Sequence, residues 1–291
     1  MRIGIGLPTT VPLADQCAWA CRAEAAGFST LGAIDRLAHD CLEPLVVLAA
    51  AAAVTARIRL ATTVLIAPYR LNAALLAKQA ASLDALSRGR FELGVGVGVR
   101  QDDYALSGAD PRRRGRELDR MVDELRRVWS GETAIGPEPI QPGGPPLVFG
   151  GTSDAAVRRV AAHGAGWICG GGGARGFRRT ADKVRVAWDA AGRAGGPKLS
   201  AFVNVAVGEA STAEAPQRLR EYYAFAGPYA ERVVDETVLG PDAVAEAIAA
   251  HAAAGCDELI FFPATADIDE VERLAAVARP NEQGETGDHA H

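Results

Sequence analysis

The sequence predicts an α/β fold, a single (β/α)8 TIM-type barrel, and three observations support this prediction. The chain has 291 residues, which suits a barrel of about 250 residues with modest additions. Apolar, β-branched runs alternate with helical patterns eight times along the chain. The composition does not change between these units, so we expect one domain, residues 1–278, whose parallel sheet closes at eight strands.

Eight short apolar runs are interpreted as the strands of the barrel. Such runs usually end at a glycine, a proline or a polar residue, because these residues favour turns. The predicted strands are Arg2–Pro8, Phe28–Asp35, Ile58–Ile66, Arg90–Arg100, Leu147–Phe149, Gly166–Cys169, Leu199–Val207 and Glu258–Phe262.

Helical patterns follow the strands, and apolar residues recur in them every three or four positions. A longer helical excursion, Pro216–Asp235, lies between strands seven and eight and is rich in Tyr and Arg. The polar residues 279–291 show no periodicity, so we expect a disordered tail. The other predicted helices are Leu13–Ala26, Glu43–Thr55, Ala73–Leu86, Arg116–Trp129, Ser153–His163, Phe177–Ala191, Pro241–Ala254 and Ile268–Ala278.

Charge and composition exclude several classes of protein. The chain has 31 Lys and Arg against 36 Asp and Glu, a net charge of −5, and therefore lacks the basic surface of a nucleic-acid-binding protein. It contains no run of 18 apolar residues and begins directly with a strand pattern, so we expect a cytoplasmic protein that does not bind membranes. Its five cysteines are scattered, without a Cys-x-x-Cys pair, and we expect no metal site.

The fourth predicted strand carries a strip of alternating glycines, Gly94, Gly96 and Gly98. Because glycine has no Cβ, these residues leave bare backbone on one side of the strand, against which a flat cofactor ring can lie. A doubly wound dinucleotide-binding fold is the alternative. It requires the spacing G-x-G-x-x-G early in the chain, directly before a helix, whereas here three strands come first and no helix pattern follows at once.

Two glycine-rich loops follow the fifth and sixth predicted strands. Gly150–Asp154 combines two glycines with hydroxyl side chains at a predicted helix N-terminus, where free N–H groups attract anions. An ordinary helix N-cap is the alternative for Ser153. Gly170–Gly173 is a second such loop on the same face, followed by Arg175, and the pair favours a phosphate site.

Asp35, Arg36 and His39 lie where the second strand ends, at the barrel face where active sites form. They are candidates for catalysis. Alternatively, Asp35 holds Arg36 or a neighbouring loop by a hydrogen bond, and His39 is a solvated loop residue. The sequence shows neither a serine nucleophile motif nor a cluster with metal-ligand spacing, so we expect an organic cofactor to supply the chemistry.

Several segments together resemble the luciferase-like flavin-dependent oxidoreductases, and the similarity extends over nearly the whole chain up to about residue 278. They are IRLATTVL at 58–65, LAKQAASLDALSRGRF at 76–91, GVGVG at 94–98, PLVFGG at 146–151 and GAGWI at 164–168. The resemblance implies a barrel, usually dimeric, that binds reduced FMN or the deazaflavin coenzyme F420 along the third and fourth strands. It also implies oxygenation or reduction of a small organic substrate and a non-proline cis bond between Thr62 and Leu65.

The chain departs from the family pattern at two positions. Many relatives have Asp-His where this chain has Asp35-Arg36, which leaves Arg36 as an electrostatic partner for substrate or ring. Some FMN enzymes have an arginine in the glycine segment of the fourth strand, and this chain has none. The phosphate is therefore expected on Thr152, Ser153 and Gly170–Gly173, with Arg175 or Arg100 nearby.

From these inferences we predict the candidate site. FMN and F420 remain equal alternatives, and a non-catalytic flavin-binding barrel remains the alternative function. The expected partners are a small-molecule substrate, a second copy in a homodimer and, with FMN, a separate flavin reductase. The predicted catalytic residues are Asp35, Arg36 and His39, the ring contacts are Thr62, Thr63, Gly94 and Gly96, and the phosphate contacts are Gly151, Thr152, Ser153 and Gly172.

The aromatic residues of the helical excursion have two interpretations. Tyr222, Tyr223, Phe225 and Tyr229 can form the wall of a substrate pocket at the barrel mouth. They can equally pack on the outside of the barrel.

Overall fold

The computed structural model, which describes residues 1–8 and 13–279, contains one parallel sheet that closes into a barrel. The last strand pairs with the first strand and also with the eighth, which completes the closure. This confirms the predicted (β/α)8 fold. The strands are β1 Arg2–Gly6, β2 Thr30–Ala33, β3 Arg59–Thr62, β4 Leu65–Ile66, β5 Phe91–Gly96, β6 Leu147–Gly150, β7 Gly166–Gly170, β8 Lys198–Ala206, β9 Val238–Leu239 and β10 Glu258–Pro263.

The helices connect successive strands. Their starts follow capping rules: Asn72 accepts a hydrogen bond from Leu75 N at 2.9 Å at the start of one helix, as expected of an N-cap. No helix of the described residues is long and apolar enough to cross a membrane. The helices are α1 Leu13–Ala25, α2 Pro44–Val54, α3 Ala73–Ser87, α4 Gln101–Ser107, α5 Arg114–Trp129, α6 Asp154–His163, α7 Gly173–Ala190, α8 Glu209–Tyr222, α9 Tyr229–Asp235, α10 Pro241–Ala253 and α11 Glu270–Ala278.

Several predicted boundaries were wrong, including the end of the fourth predicted strand, which lies at Gly96 and not at Arg100. The single strand Ile58–Ile66 is two strands, β3 and β4, separated by a bulge. The connection after β5, which looked irregular in the sequence, contains the short helix α4. The excursion begins at Glu209, not at Pro216, because the buried side chains of Ala215 and Leu219 stabilise α8 despite the internal proline. The predicted tail lies outside the described residues, apart from Arg279.

The N-terminal end of the barrel is filled by an ion cluster around Glu258, which is fully buried. Lys198 Nζ lies 2.7 Å and Arg59 Nη2 3.5 Å from its carboxylate, and the hydroxyls of Ser29 and Thr30 each donate to it at 2.6 Å. Burial alone raises a carboxyl pKa, but Lys198, Arg59 and Arg2 lower that of Glu258 to about 2. Since this end is closed and structural, a ligand site belongs at the opposite end of the barrel.

Candidate active site at the C-terminal mouth of the barrel

Two phenylalanine rings form the floor of the mouth. Phe202 and Phe262 meet edge to face, with ring centroids 5.6 Å apart, and pack with Ile34 and Val64 in the barrel interior. Glycine is required beneath them: a Cβ on Gly6 would overlap the ring of Phe262, and one on Gly170 the ring of Phe202. The floor is therefore apolar and suits a flat organic ligand.

The glycine strip of β5 is covered by the bulge between β3 and β4. A Cβ on Gly94 would overlap the carbonyl oxygen of Thr62, and one on Gly96 would lie 2.8 Å from Val64 Cγ2. The predicted bare strip is therefore not open on this side, because Thr62, Val64 and Ile66 lie against it. The glycines make room for the bulge, and the predicted contact of Gly94 and Gly96 with a cofactor stays a prediction.

Thr62 and Thr63 are both buried. The Thr62 hydroxyl donates to the Gly94 carbonyl at 2.7 Å, and the Thr63 hydroxyl donates to the Ala33 carbonyl at 3.2 Å. These side chains fix the bulge to its neighbouring strands and do not reach the mouth. The expected non-proline cis bond is confirmed between Thr63 and Val64.

Asp35 is buried beside the bulge. Its carboxylate accepts hydrogen bonds from Arg70 Nη2 and from Ile66 N, each at 2.8 Å. Burial raises the pKa of this carboxyl, and the Arg70 charge opposes that effect. In this structure the carboxylate therefore holds a neighbouring loop, the alternative that the sequence left open.

Arg36 is enclosed between the acidic first turn of α4 and the aromatic residues of the excursion. Its Nε donates to Asp103 Oδ2 at 3.1 Å, and the centre of its guanidinium lies 5.1 Å from the Tyr222 ring and 5.7 Å from the Phe225 ring. The guanidinium of Arg100 also lies over the Phe225 ring, 3.5 Å from its centroid. Two guanidinium groups thus face the same wall of the mouth, held in part by cation–π contact.

His39 also contacts Tyr222, and the two ring centroids lie 4.9 Å apart in an edge-to-face arrangement. Its buried Nε2 has no hydrogen-bond partner among the described residues. Burial, together with the charges of Arg36 and Arg100, lowers the pKa of His39. The lowered pKa favours the neutral imidazole, whose Nε2 is available for a hydrogen bond to a ligand.

The excursion crosses the mouth and divides it into three cavities of about 230, 180 and 180 Å³. Phe202 and Tyr223 line all three, His39 lines the largest, and Arg36 lines one of the smaller. The aromatic residues therefore form a wall of the mouth, one of the two interpretations of the sequence. The cavity that Arg36 lines is also lined by Ile34, Ile66, Gly98, Arg100 and Phe225, and we call it the Arg36 cavity.

A separate cavity of about 630 Å³, which we call the outer cavity, lies outside the mouth, next to the N-terminus of α6. Ser153 lines it and also caps α6, its Oγ accepting from Ala156 N at 3.2 Å. Arg112 and Arg114 line the same cavity, so it combines a helix N-terminus with cations. Neither arginine was among the predicted site residues, although the run Arg112-Arg113-Arg114 at the start of α5 was a signal for them. Arg175 and Arg100 do not line this cavity.

The glycine loop after β7 already holds a carboxylate of this chain. Gly172 N donates to Glu236 Oε2 at 2.7 Å, and the backbone of Gly171, Gly172 and Gly173 is in the left-handed region. Such a loop presents N–H groups to an anion. The anion in this structure is Glu236, from the end of the excursion.

The sequence matches the luciferase-like monooxygenase family over residues 1–252. The chain belongs to this family. Its members are flavin- or F420-dependent oxidoreductases.

Among curated relatives of this luciferase-like chain is an uncharacterized protein of Mycobacterium tuberculosis, 37% identical over 165 residues. That match spans 52% of the chain and 56% of the relative. Solved structures share the fold at low sequence identity. An F420-dependent secondary alcohol dehydrogenase in complex with an F420-acetone adduct matches with a TM-score of 0.81 at 17% identity, over 96% of this chain and 98% of that one.

A second solved structure is the oxygenating constituent of 3,6-diketocamphane monooxygenase from Pseudomonas putida, a type II Baeyer-Villiger monooxygenase in complex with FMN. It matches with a TM-score of 0.75 at 17% identity, over 96% of this chain and 98% of that one. The luciferase-like barrel is thus shared with proteins that bind each of the two cofactors.

In this luciferase-like chain, the predicted site residues lie in four different places. Asp35, Arg36 and His39 lie together on one side of the mouth. Thr62 and Thr63 lie at the bulge, which covers Gly94 and Gly96. Gly151, Thr152 and Ser153 are exposed beside the outer cavity, and Gly172 lies beside Glu236.

Proposed function

We propose that the protein is an oxidoreductase that uses reduced FMN or reduced F420 to oxygenate or reduce a small organic substrate. The observation that carries this proposal is the apolar mouth, in which a neutral histidine and two arginines surround cavities of suitable shape. Structural neighbours that bind FMN or F420 support it. The catalytic assignments to Arg36 and His39 are part of the proposal, and Asp35 supports the site indirectly through Arg70 and the bulge.

In this proposal the apolar floor formed by Phe202 and Phe262, next to the bulge, would hold the ring. The phosphate lies in the outer cavity, where Ser153, Arg112 and Arg114 provide hydroxyl and cationic groups. The bound cofactor supplies the electrons of the reaction. The predicted contacts at Thr62, Thr63, Gly94 and Gly96 then act by shaping the bulge.

The side chains of the mouth position the substrate and control protons. Tyr222 and Tyr223 cover the mouth and exclude water, which strengthens electrostatic interactions inside. His39 Nε2 accepts or returns a proton on the substrate side. Asp35 keeps Arg70 and the bulge in place and acts indirectly.

Titration of the protein with each reduced cofactor tests this function. We expect one of the two to bind with a dissociation constant in the micromolar range, about −8 kcal/mol, measured by isothermal titration calorimetry under anaerobic conditions. If neither binds, the proposed function is wrong. Mixing the complex with oxygen, or with ketone and aldehyde substrates, then separates oxygenation from hydride transfer.

A non-catalytic flavin-binding barrel is the second candidate function. It predicts cofactor binding without turnover of any substrate. The unpartnered His39 Nε2 and the aromatic wall favour the enzyme, because a storage protein needs neither.

The phosphate assignment predicts different results for two substitutions of Ser153. Ser153→Asp keeps an N-cap on α6 but places a negative charge in the outer cavity, so we expect cofactor affinity to fall more than tenfold, about 1.4 kcal/mol, with unchanged thermal stability. Ser153→Ala removes the cap and one hydroxyl, and we expect about 1–2 kcal/mol of lost affinity with lower stability. Unchanged affinity in both variants would remove Ser153 from the site.

We further propose a cytoplasmic homodimer, with a separate flavin reductase as a partner if FMN is the cofactor. Large apolar side chains are exposed on the neighbouring helices α2 and α3, at Val46 (62%), Leu75 (52%) and Leu86 (63%), and a second copy would bury them. The five cysteines are free, as is usual in the reducing cytoplasm. Light scattering in solution measures the oligomeric state, and a monomer would contradict the proposal.

A further inference from the structure

Arg36 is a buried cation with incomplete pairing. Its side chain is 6% exposed, its Nε donates to Asp103, and the Tyr222 hydroxyl is its other polar neighbour. Nη1 and Nη2 are buried without a hydrogen-bond partner among the described residues, and the nearest paired carboxylate oxygen, on Asp102, is 3.9 Å from Nη2. Because a buried guanidinium is costly unless its N–H groups are satisfied, this arrangement calls for an additional acceptor.

The acidic residues near Arg36 are already engaged. Asp103 accepts from the backbone N–H groups of Leu37 and Ala38, at 3.0 and 2.6 Å, in addition to Arg36 Nε. Asp102 pairs with Arg100, and Asp35 pairs with Arg70. No nearby carboxylate of the described chain is therefore free to pair with the two terminal nitrogens.

Aromatic rings cover the terminal nitrogens instead. Tyr222 and Phe225 stand over the guanidinium, and Phe225 is 41% exposed, so solvent lies directly behind this cover. A cation–π contact is weaker than a two-point hydrogen bond between guanidinium and carboxylate. An entering carboxylate can therefore displace the rings and satisfy both nitrogens.

The chemistry of the surroundings indicates what else the ligand carries. The walls of the Arg36 cavity include Ile34, Ile66, Phe202 and the aromatic rings, and these surfaces favour an apolar body. Asp35 and Asp103 also line it, but their charges are paired with Arg70 and Arg36. Arg100, which lies over the Phe225 ring and pairs with Asp102, provides a second guanidinium beside this cavity. The site thus combines a planar anion receptor with an apolar chamber next to the bulge.

We propose that the substrate carries a carboxylate on an apolar body, and that Arg36 is the specificity-determining residue that binds it through Nη1 and Nη2. Tyr222 and Phe225 give way as the carboxylate enters. This inference rests on the proposed function and names the substrate class of the same site. It requires no covalent step by Arg36.

Calorimetric titration with benzoate and benzamide tests the inference, because the two probes share shape and size but differ in charge. Both are titrated into the apoprotein and into the protein loaded with its cofactor. We expect benzoate to bind at least tenfold more tightly than benzamide to the wild-type protein. In Arg36→Gln this preference should disappear, whereas Arg220→Gln, which removes an exposed arginine of the same excursion, should leave it unchanged.

Arg36→Lys provides a second variant in case Arg36→Gln does not fold. It keeps the charge beside Asp103 but lacks the planar two-point geometry, so the preference for benzoate should fall below threefold. Equal binding of the two probes by the wild-type protein would overturn the inference without any variant. A preference that persists in the Arg36 variants would overturn it as well.

The same experiment separates the substrate from the cofactor as the source of the anion. If Arg36→Gln weakens binding of the reduced cofactor tenfold and leaves benzoate binding intact, Arg36 serves the ring and the inference is wrong. If the proposed function is wrong, the protein binds neither cofactor. The benzoate and benzamide titrations of the apoprotein then still test the role of Arg36.

Discussion

Lys198→Met should lower the free energy of unfolding by about 3–5 kcal/mol, because it removes one partner of a buried ion pair. Lys198 is 16% exposed and lies 2.7 Å from the fully buried carboxylate of Glu258. Arg59 remains at 3.5 Å but is too distant to replace the short contact. Urea denaturation monitored by circular dichroism measures the change.

Lys183→Met is the matched control. Lys183 pairs with Asp154 at 3.1 Å, but both side chains are largely exposed, and such surface pairs contribute only about 0–1 kcal/mol. If the two variants lose the same stability, the cluster around Glu258 does not have the importance assigned to it.

The acid dependence of the Lys198→Met effect gives an independent check. The folded-state pKa of Glu258 is about 2, below its usual value of 4.5. A lowered pKa means that the stabilisation is fully present above pH 4.5 and is lost as the pH falls from 4.5 towards 2. The difference in stability between wild type and Lys198→Met should therefore be smaller at pH 3 than at pH 7.

Gly94→Ala should destabilise the protein by at least about 3 kcal/mol, at the upper end of the range for an overpacked core. The added Cβ would overlap the Thr62 carbonyl oxygen, and a backbone atom between paired strands cannot move aside cheaply. The bulge would shift, so cofactor affinity should fall as well. Chemical denaturation and cofactor titration measure the two effects.

Two comparisons isolate the cause of the Gly94→Ala effect. Gly196→Ala adds a Cβ with no atom within 4 Å and should change stability by less than about 0.5 kcal/mol. Gly96→Ala places the Cβ 2.8 Å from Val64 Cγ2, so Val64→Ala in the same chain should relieve part of its cost, with a coupling of about 1 kcal/mol. Because the overlap at Gly94 is with backbone, the same Val64 substitution should not rescue Gly94→Ala.

The sequence predicted the barrel because its signals are local and repeated. Short apolar runs between prolines and glycines, such as Leu147–Phe149, favour a buried strand, and helix caps such as Asn72 and Ser153 act on residues three positions away. Family resemblance placed the cis bond between Thr62 and Leu65. The boundary of α8 was missed because distant packing of Ala215 and Leu219 outweighs the local effect of Pro216.

The sequence by itself determined the fold, the family and the set of strand ends that form the mouth, since these depend on short-range patterns and on motif order. The contacts made by the residues at those strand ends became clear only from the tertiary structure. It placed Val64 over the glycine strip, Glu236 on the Gly172 loop and Arg112 beside Ser153. It also left the terminal nitrogens of Arg36 without a close hydrogen-bond partner in the described part of the chain. Each of these facts depends on contacts between residues far apart in the chain, which the alternation of strands and helices does not specify.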